Sequence, residues 1–161
     1  LFKKIFMEAF SMKKVIKFLP LVAAVLGLIA VIALFLPVIN LANGDKFPGI
    51  ATVIGYDKKA GETTIPMLGF SFMNLLTYLL VVGGIVCAVL TYLHKGGKYM
   101  AWIAAACLLF AGIFFFCVKG FAAVEYAPLK SLWSLGYGAI LAGISSILGA
   151  CALVAAKLLN K

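Results

Sequence analysis

The sequence predicts an all-α integral membrane protein: a four-helix transmembrane bundle with an N-terminal interfacial helix and a small outer β-hairpin loop. Three observations predict it. Charged residues are nearly absent from four stretches, 18–44, 63–94, 99–118 and 131–156. Each is long enough to cross the roughly 30 Å hydrocarbon core of a bilayer, which takes about 20 helical residues. Hydrophobic residues make up 65% of the chain and the mean hydropathy is +1.17, whereas a soluble domain is roughly 45–50% apolar. Finally, the formal net charge is +9, and the fourteen basic residues are all lysines placed at the ends of the apolar stretches.

The elements follow in order, as a single transmembrane domain over 1–161. Residues 1–17 read as an interfacial amphipathic helix. Phe2, Ile5, Phe6 and Phe10 share one face and Lys3 and Lys4 the other, a pattern that lies naturally on a membrane surface. Span one covers about 18–39, with Pro20 near its start and Pro37 kinking or stopping its end. Its apolar run is too long for a signal-peptide core, so a retained span is expected. Spans two, three and four cover about 70–93, 99–118 and 130–156.

The outer loop, 41–69, holds the β-branched runs 50–56 and 62–66 around Asp57-Lys-Lys-Ala-Gly61, the pattern of a hairpin whose second strand Pro66 confines to an edge. Nine lysines (3, 4, 13, 14, 17, 95, 98, 157 and 161) fall on one side of the spans and five on the other. The positive-inside rule then places both termini in the cytoplasm. Tyr92, Tyr99 and Trp102 mark the inner interface, Tyr126 and Trp133 the outer one. The chain has no arginine and no glutamine. Nothing in folding requires that bias, and it points to a low-GC bacterial genome, hence to a bacterial plasma membrane.

Helix contacts in lipid rely on small and polar residues, because apolar side chains gain nothing by leaving lipid tails for one another. Span two carries Asn74, Thr77, Val81, Gly84, Ala88 and Thr91 as one stripe. Span three carries Ala101, Ala104, Ala105, Leu108, Ala111 and Gly112. Span four repeats Gly138, Ala142, Ser146 and Ala150 every four residues, with Trp133, Tyr137, Ile140, Ile144 and Ile147 expected to face away. Such faces pack within the bundle or against a partner helix.

Catalytic chemistry is hard to assemble from this composition. The five acidic residues are dispersed, and His94 sits beside Lys95 in a turn. The four cysteines, Cys87, Cys107, Cys117 and Cys151, fall singly inside spans as small apolar packing residues. The chain holds no phosphate loop, nucleophile elbow or metal-ligand spacing. No enzymatic activity, catalytic residue, metal or cofactor is expected. A basic balance is also a footprint of nucleic-acid binding, but these lysines flank spans, so orientation accounts for them and no nucleic-acid partner is expected.

The order of elements (span, β-containing outer loop, span, tight inner turn, two more spans) resembles the claudin-like tetraspan plan in topology only. The claudin loop signature, a Trp, a Gly-Leu-Trp and two cysteines, is absent. Leu36-Pro37, Thr52-Val-Ile-Gly-Tyr56 and Phe70-Ser-Phe-Met-Asn-Leu-Leu76 are also similar to small uncharacterised four-span membrane proteins of low-GC bacteria, a resemblance that implies no activity. The expected role is a non-enzymatic structural or accessory protein acting through helix packing. Its expected partners are the lipid bilayer and a homo-oligomer or larger membrane complex. The alternatives are a binding or transport module for a lipid or apolar molecule, and a membrane enzyme using loop acids such as Asp57 or Glu62.

Overall fold

Four helices of the computed structural model are long and apolar enough to cross a membrane: Lys14–Ile32, Phe72–Tyr92, Met100–Phe121 and Tyr137–Leu159. The structure describes residues 2–42, 44–124 and 132–159, with backbone alone for 2–11, 13 and 60. Its helices are α1 (Phe2–Ile32), α2 (Gly49–Ile54), α3 (Phe72–Tyr92), α4 (Met100–Phe121) and α5 (Tyr137–Leu159). Its strands are β1 (Pro37–Leu41), β2 (Lys46–Pro48), β3 (Tyr56–Ala60), β4 (Thr63–Gly69), β5 (Ala123–Val124) and β6 (Trp133–Leu135).

The long helices form an antiparallel ring, α1 against α3, α3 against α4, α4 against α5 and α5 against α1. Small residues line the interior throughout. α3 buries Asn74, Thr77, Val81, Gly84 and Ala88, and α4 buries Ala101, Ala104, Ala105, Leu108, Ala111 and Gly112. α5 buries Gly138, Ala142, Ser145, Ser146, Gly149 and Ala150. α1 and the turn after it contribute a matching stripe, Pro20, Ala23, Ala24, Gly27 and Ala30, then Ala33. Larger side chains fill the centre: Leu108, Leu153 and Phe115 are fully buried, and Phe115 meets Tyr78 edge-on with ring centroids 5.2 Å apart. The close approach is visible at Gly84. A Cβ there would lie 2.8 Å from the Leu108 side chain, whereas one at neighbouring Gly83 meets nothing within 4 Å.

Several boundaries differ from the expectation. The interfacial segment 1–17 is no separate helix: α1 runs unbroken from Phe2 to Ile32. Lys13, Lys14 and Lys17 are good helix formers and nothing between them and Phe18 breaks the chain. At 31 residues and 1.5 Å each, α1 is about 46 Å long, so its first turns extend beyond a bilayer core. The side chains of Phe2, Lys3, Lys4, Ile5, Phe6 and Phe10 lie outside the described residues.

Span one ends at Ile32 rather than 39, and Pro37 opens a strand. Span four begins at Tyr137 rather than 130, with a strand at 133–135 before it. Glu125, Tyr126 and Lys130 lie outside the described residues. The hairpin exists, but one segment later than its first β-branched run: 49–54 is helix, and β3 pairs with β4 around Gly61. Of the cysteines, Cys87 and Cys107 are half-buried while Cys117 and Cys151 are exposed on the outer surface of the bundle.

The strands gather at the bundle end opposite the termini and form two three-stranded sheets, ordered β2-β1-β6 and β3-β4-β5. β1, which follows α1, pairs with β6, which precedes α5: Asn40 lies opposite Ser134. β4, which precedes α3, pairs with β5, which follows α4: Leu68 lies opposite Val124. The two outer connections are therefore sewn into one cap. The cap has its own apolar core, with Val38, Ile39, Phe47, Met67, Leu68 and Trp133 buried together. Phe47 meets Tyr56 at 5.3 Å and Trp133 at 6.1 Å between ring centroids. Trp133 is thus an anchor of the cap interior, 4% exposed, and not the interfacial aromatic its position predicts.

Candidate functional site: the junction of bundle and cap

The polar side chains of the outer helix ends converge where the cap meets the bundle. α3 starts with Ser71 as its N-cap, whose hydroxyl accepts from the Asn74 N–H at 3.3 Å, the usual remedy for an unpaired first-turn donor. The same hydroxyl donates to the Phe121 carbonyl at 2.6 Å. That carbonyl belongs to the last turn of α4, where no intrahelical donor remains for it. One serine therefore closes the start of one span and the end of the next. The Ser71 N–H in turn donates to the Val53 carbonyl at 3.0 Å, which ties α3 to α2.

Asn74 completes the junction. It is fully buried, and its Nδ2 donates to the Thr52 carbonyl at 3.0 Å. Thr52, also fully buried, donates through Oγ1 to the Gly49 carbonyl at 2.7 Å. These bonds explain why a β-branched run is helical here. A short helix lets Ala51, Thr52 and Val53 turn inward together, and burial outweighs a weak strand preference. Gly49 is required by close approach, because a Cβ on it would collide with the Tyr78 hydroxyl and the Ala33–Leu34 backbone. The Asn74 Oδ1 and the Tyr78 hydroxyl have no protein partner at this junction among the described residues.

The predicted packing face is thus distributed over two jobs. Gly84, Ala88, Ala142 and Ala150 are buried in the helix bundle of the same chain, and Gly138 is buried against Leu36 and Pro37 at the start of β1. Thr77 bonds its own helix, donating to the Met73 carbonyl at 2.9 Å. Ser146 is fully buried with no hydroxyl partner among the described residues. Asn74 alone reaches across to another element. Ser71 is legible in the sequence, as a serine three residues before Asn74 at the start of a span and so in position to cap it; Thr52, 22 residues before Asn74, carries no such signal. Tyr78 and Phe115 were missed because bulky aromatics on a small-residue stripe look lipid-facing.

The loop acids do not join this cluster. Asp57 and Glu62 are exposed on the β3–β4 hairpin. Asp45 pairs with Lys58 at 2.6 Å on the cap surface. The hydrogen bond to Asp45, and then its charge, raise the Lys58 pKa above its ordinary value. A raised lysine pKa stabilises the fold below the ordinary value and is lost as pH rises through the folded one, so this pair is fully formed near neutrality. It is solvent-screened and adds little. Among the described residues no three His, Cys, Asp or Glu side chains gather as a metal site would require.

A substitution tests the junction. Asn74→Leu removes the bond to Thr52 and leaves that buried carbonyl unpaired, which costs about 1–3 kcal/mol. We expect a lower melting temperature in mild detergent and faster proteolysis at 49–69. Unchanged values for both would mean that Asn74 does not hold the cap.

The fold is a bundle of four helices long and apolar enough to cross a membrane, with a β-cap locked to the helix ends opposite the termini. No protein-family model, curated protein or solved structure matches the chain.

Proposed function

We propose that this chain is a non-enzymatic structural or accessory membrane protein, and that its cap is the platform it offers to a second copy or to a larger membrane complex. One observation supports this reading above others: both outer connections are built into a single folded cap with its own core, cross-linked between loops and bonded to the helix ends. A connection that merely joined spans would need none of this, since short loops suffice between antiparallel helices. The small helix faces support the same choice, because they are spent inside the bundle. The remaining contact surfaces are the lipid-facing flanks and the cap. The cap presents exposed polar positions at Lys46, Lys59 and Glu62. By the lysine asymmetry the cap lies outside the plasma membrane of a bacterial cell and both termini inside.

Two measurements test this. A cysteine replacing Lys58 should react with an impermeant thiol reagent on intact cells and one replacing Lys95 should not; the reverse pattern inverts the orientation. A photo-crosslinking residue at Lys59 or Glu62 should give discrete protein adducts in the native membrane, including adducts to a second copy if the chain self-assembles. One at Val86, exposed on the flank of α3, should give mainly lipid adducts. Lipid adducts alone from every position would overturn the platform role.

A further inference from the structure

At the end of the bundle that carries the termini, the four helix ends leave a cleft of about 230 Å³. Its cationic lining comes from three separate elements: Lys17 of α1, Lys98 of the α3–α4 turn and Lys157 of α5, with His94 in the same turn. Among the described residues none of these lysines pairs with a carboxylate, and Asp45, Asp57 and Glu62 all belong to the cap at the opposite end. Gly97 adds an open backbone, whereas the Thr91 hydroxyl donates to the Cys87 carbonyl at 2.8 Å within α3. His94 holds a left-handed backbone, φ 54°, which ends α3 sharply and sets the turn over the cleft. The cleft also reaches the first turn of α4 at Met100 and Ala101, whose N-cap, Tyr99, supplies no side-chain acceptor. Three lysines lining one hollow, with Lys98 Nζ also 5.8 Å from the centroid of the neighbouring Tyr99 ring, favour an anion as its occupant.

Beside the cleft, along the α4–α5 seam, runs an apolar groove of about 510 Å³ lined by Trp102, Ala106, Leu109, Cys151, Val154 and Leu158. The two hollows share no lining residue, but consecutive positions of α4 and α5 line one and the other. Ala101, Ala156 and Lys157 line the cleft, while Trp102, Ala155 and Leu158 line the groove. From Ala150 to Leu158 the groove follows α5 for about 12 Å at 1.5 Å per residue. That is less than half of a roughly 30 Å hydrocarbon core, so it lies within one leaflet.

We propose that cleft and groove together form a binding site for one anionic phospholipid of the leaflet on the side of the termini. The phosphate headgroup sits among Lys17, Lys98 and Lys157, and an acyl chain lies in the α4–α5 groove. Charge complementarity selects the headgroup, and the length and apolar lining of the groove select a chain of the same leaflet. Basic pockets between helix ends suit phosphate headgroups for this reason. The site is independent of the role assigned to the cap.

Native mass spectrometry of the full chain in mild non-ionic detergent tests it, with phosphatidylglycerol and phosphatidylcholine of identical acyl chains as probes. One phosphatidylglycerol should bind at least tenfold tighter than phosphatidylcholine. Each lysine changed to glutamine (Lys17→Gln, Lys98→Gln, Lys157→Gln) should weaken phosphatidylglycerol about fivefold. Changing Lys46, Lys59 and Lys119 to glutamine removes the same charge elsewhere and should leave binding intact. Ala106→Phe fills the groove and should weaken both lipids alike. The three cleft substitutions combined should abolish the preference for phosphatidylglycerol; if that combined variant does not remain a folded monomer, Lys98→Gln alone, on the exposed turn, carries the same comparison. Equal affinity for the two lipids, or an equal loss from the control triple, overturns the proposal. Displacement of phosphatidylglycerol by millimolar glycerol 3-phosphate would assign the cleft to a free phosphate compound and overturn the lipid.

Discussion

Gly55→Ala should dismantle the cap while leaving the four spans in place. Gly55 closes α2 with φ 96° and ψ 165°, a region that only glycine enters without strain, at a cost of order 1–3 kcal/mol for any other residue. Space is lacking as well. A Cβ would lie 2.7 Å from the Leu68 carbonyl oxygen and 3.4 Å from the Gly69 carbonyl carbon. Both contacts are backbone, so relief requires moving β4 against β3 where Tyr56 pairs with Leu68. Strain and collision together should cost about 3 kcal/mol or more. Gly61→Ala is the matched control: its φ is 68°, but nothing lies within 4 Å of its Cβ position, so only the left-handed penalty of about 1–2 kcal/mol applies. Limited proteolysis of the cap and melting in mild detergent should rank Gly55→Ala well below Gly61→Ala. Equal effects would mean that the Gly55 backbone is not held as described.

Ala142→Leu should destabilise the monomer itself. Ala142 is fully buried on the face of α5, which packs against α1 and α4. Leucine adds three carbons to a contact built for a methyl group, and overpacking of this kind costs about 1–3 kcal/mol. The penalty is sharper between membrane helices, where close approach is the main source of association. Ile144 is 50% exposed on the opposite face. Ile144→Leu conserves volume and should stay within about 0.5 kcal/mol. Size-exclusion and thermal profiles separate the outcomes. Loss of the monomer peak is expected for Ala142→Leu, whereas loss of a larger species with the monomer intact would place the face against another chain. Identical behaviour of the two variants would put the face in lipid and refute the packing.

The sequence by itself determined the four spans and their inner faces. The first follows because a helix needs about 20 apolar residues to cross a bilayer core, a test that any run such as 99–118 passes or fails by composition. The second follows because helices in lipid meet through small residues. The three- and four-step spacing of Asn74, Thr77, Val81, Gly84 and Ala88 therefore marks the buried side without knowledge of the neighbour.

Tertiary structure alone decided where spans one and four stop, and what the outer connections become. Asn40 is a strand residue because Ser134, 94 positions away, lies opposite it; neither flank shows its partner. Trp133 is a core residue for the same reason. The run 50–54 has strand-forming residues and becomes a helix because Thr52 must offer its carbonyl to Asn74. The lysine cleft was equally hidden: Lys17, Lys98 and Lys157 read as separate orientation signals, and only the ring of helix ends brings them to one hollow. Local pattern records the solvent each residue faces, whereas pairing between distant segments is a property of the folded chain.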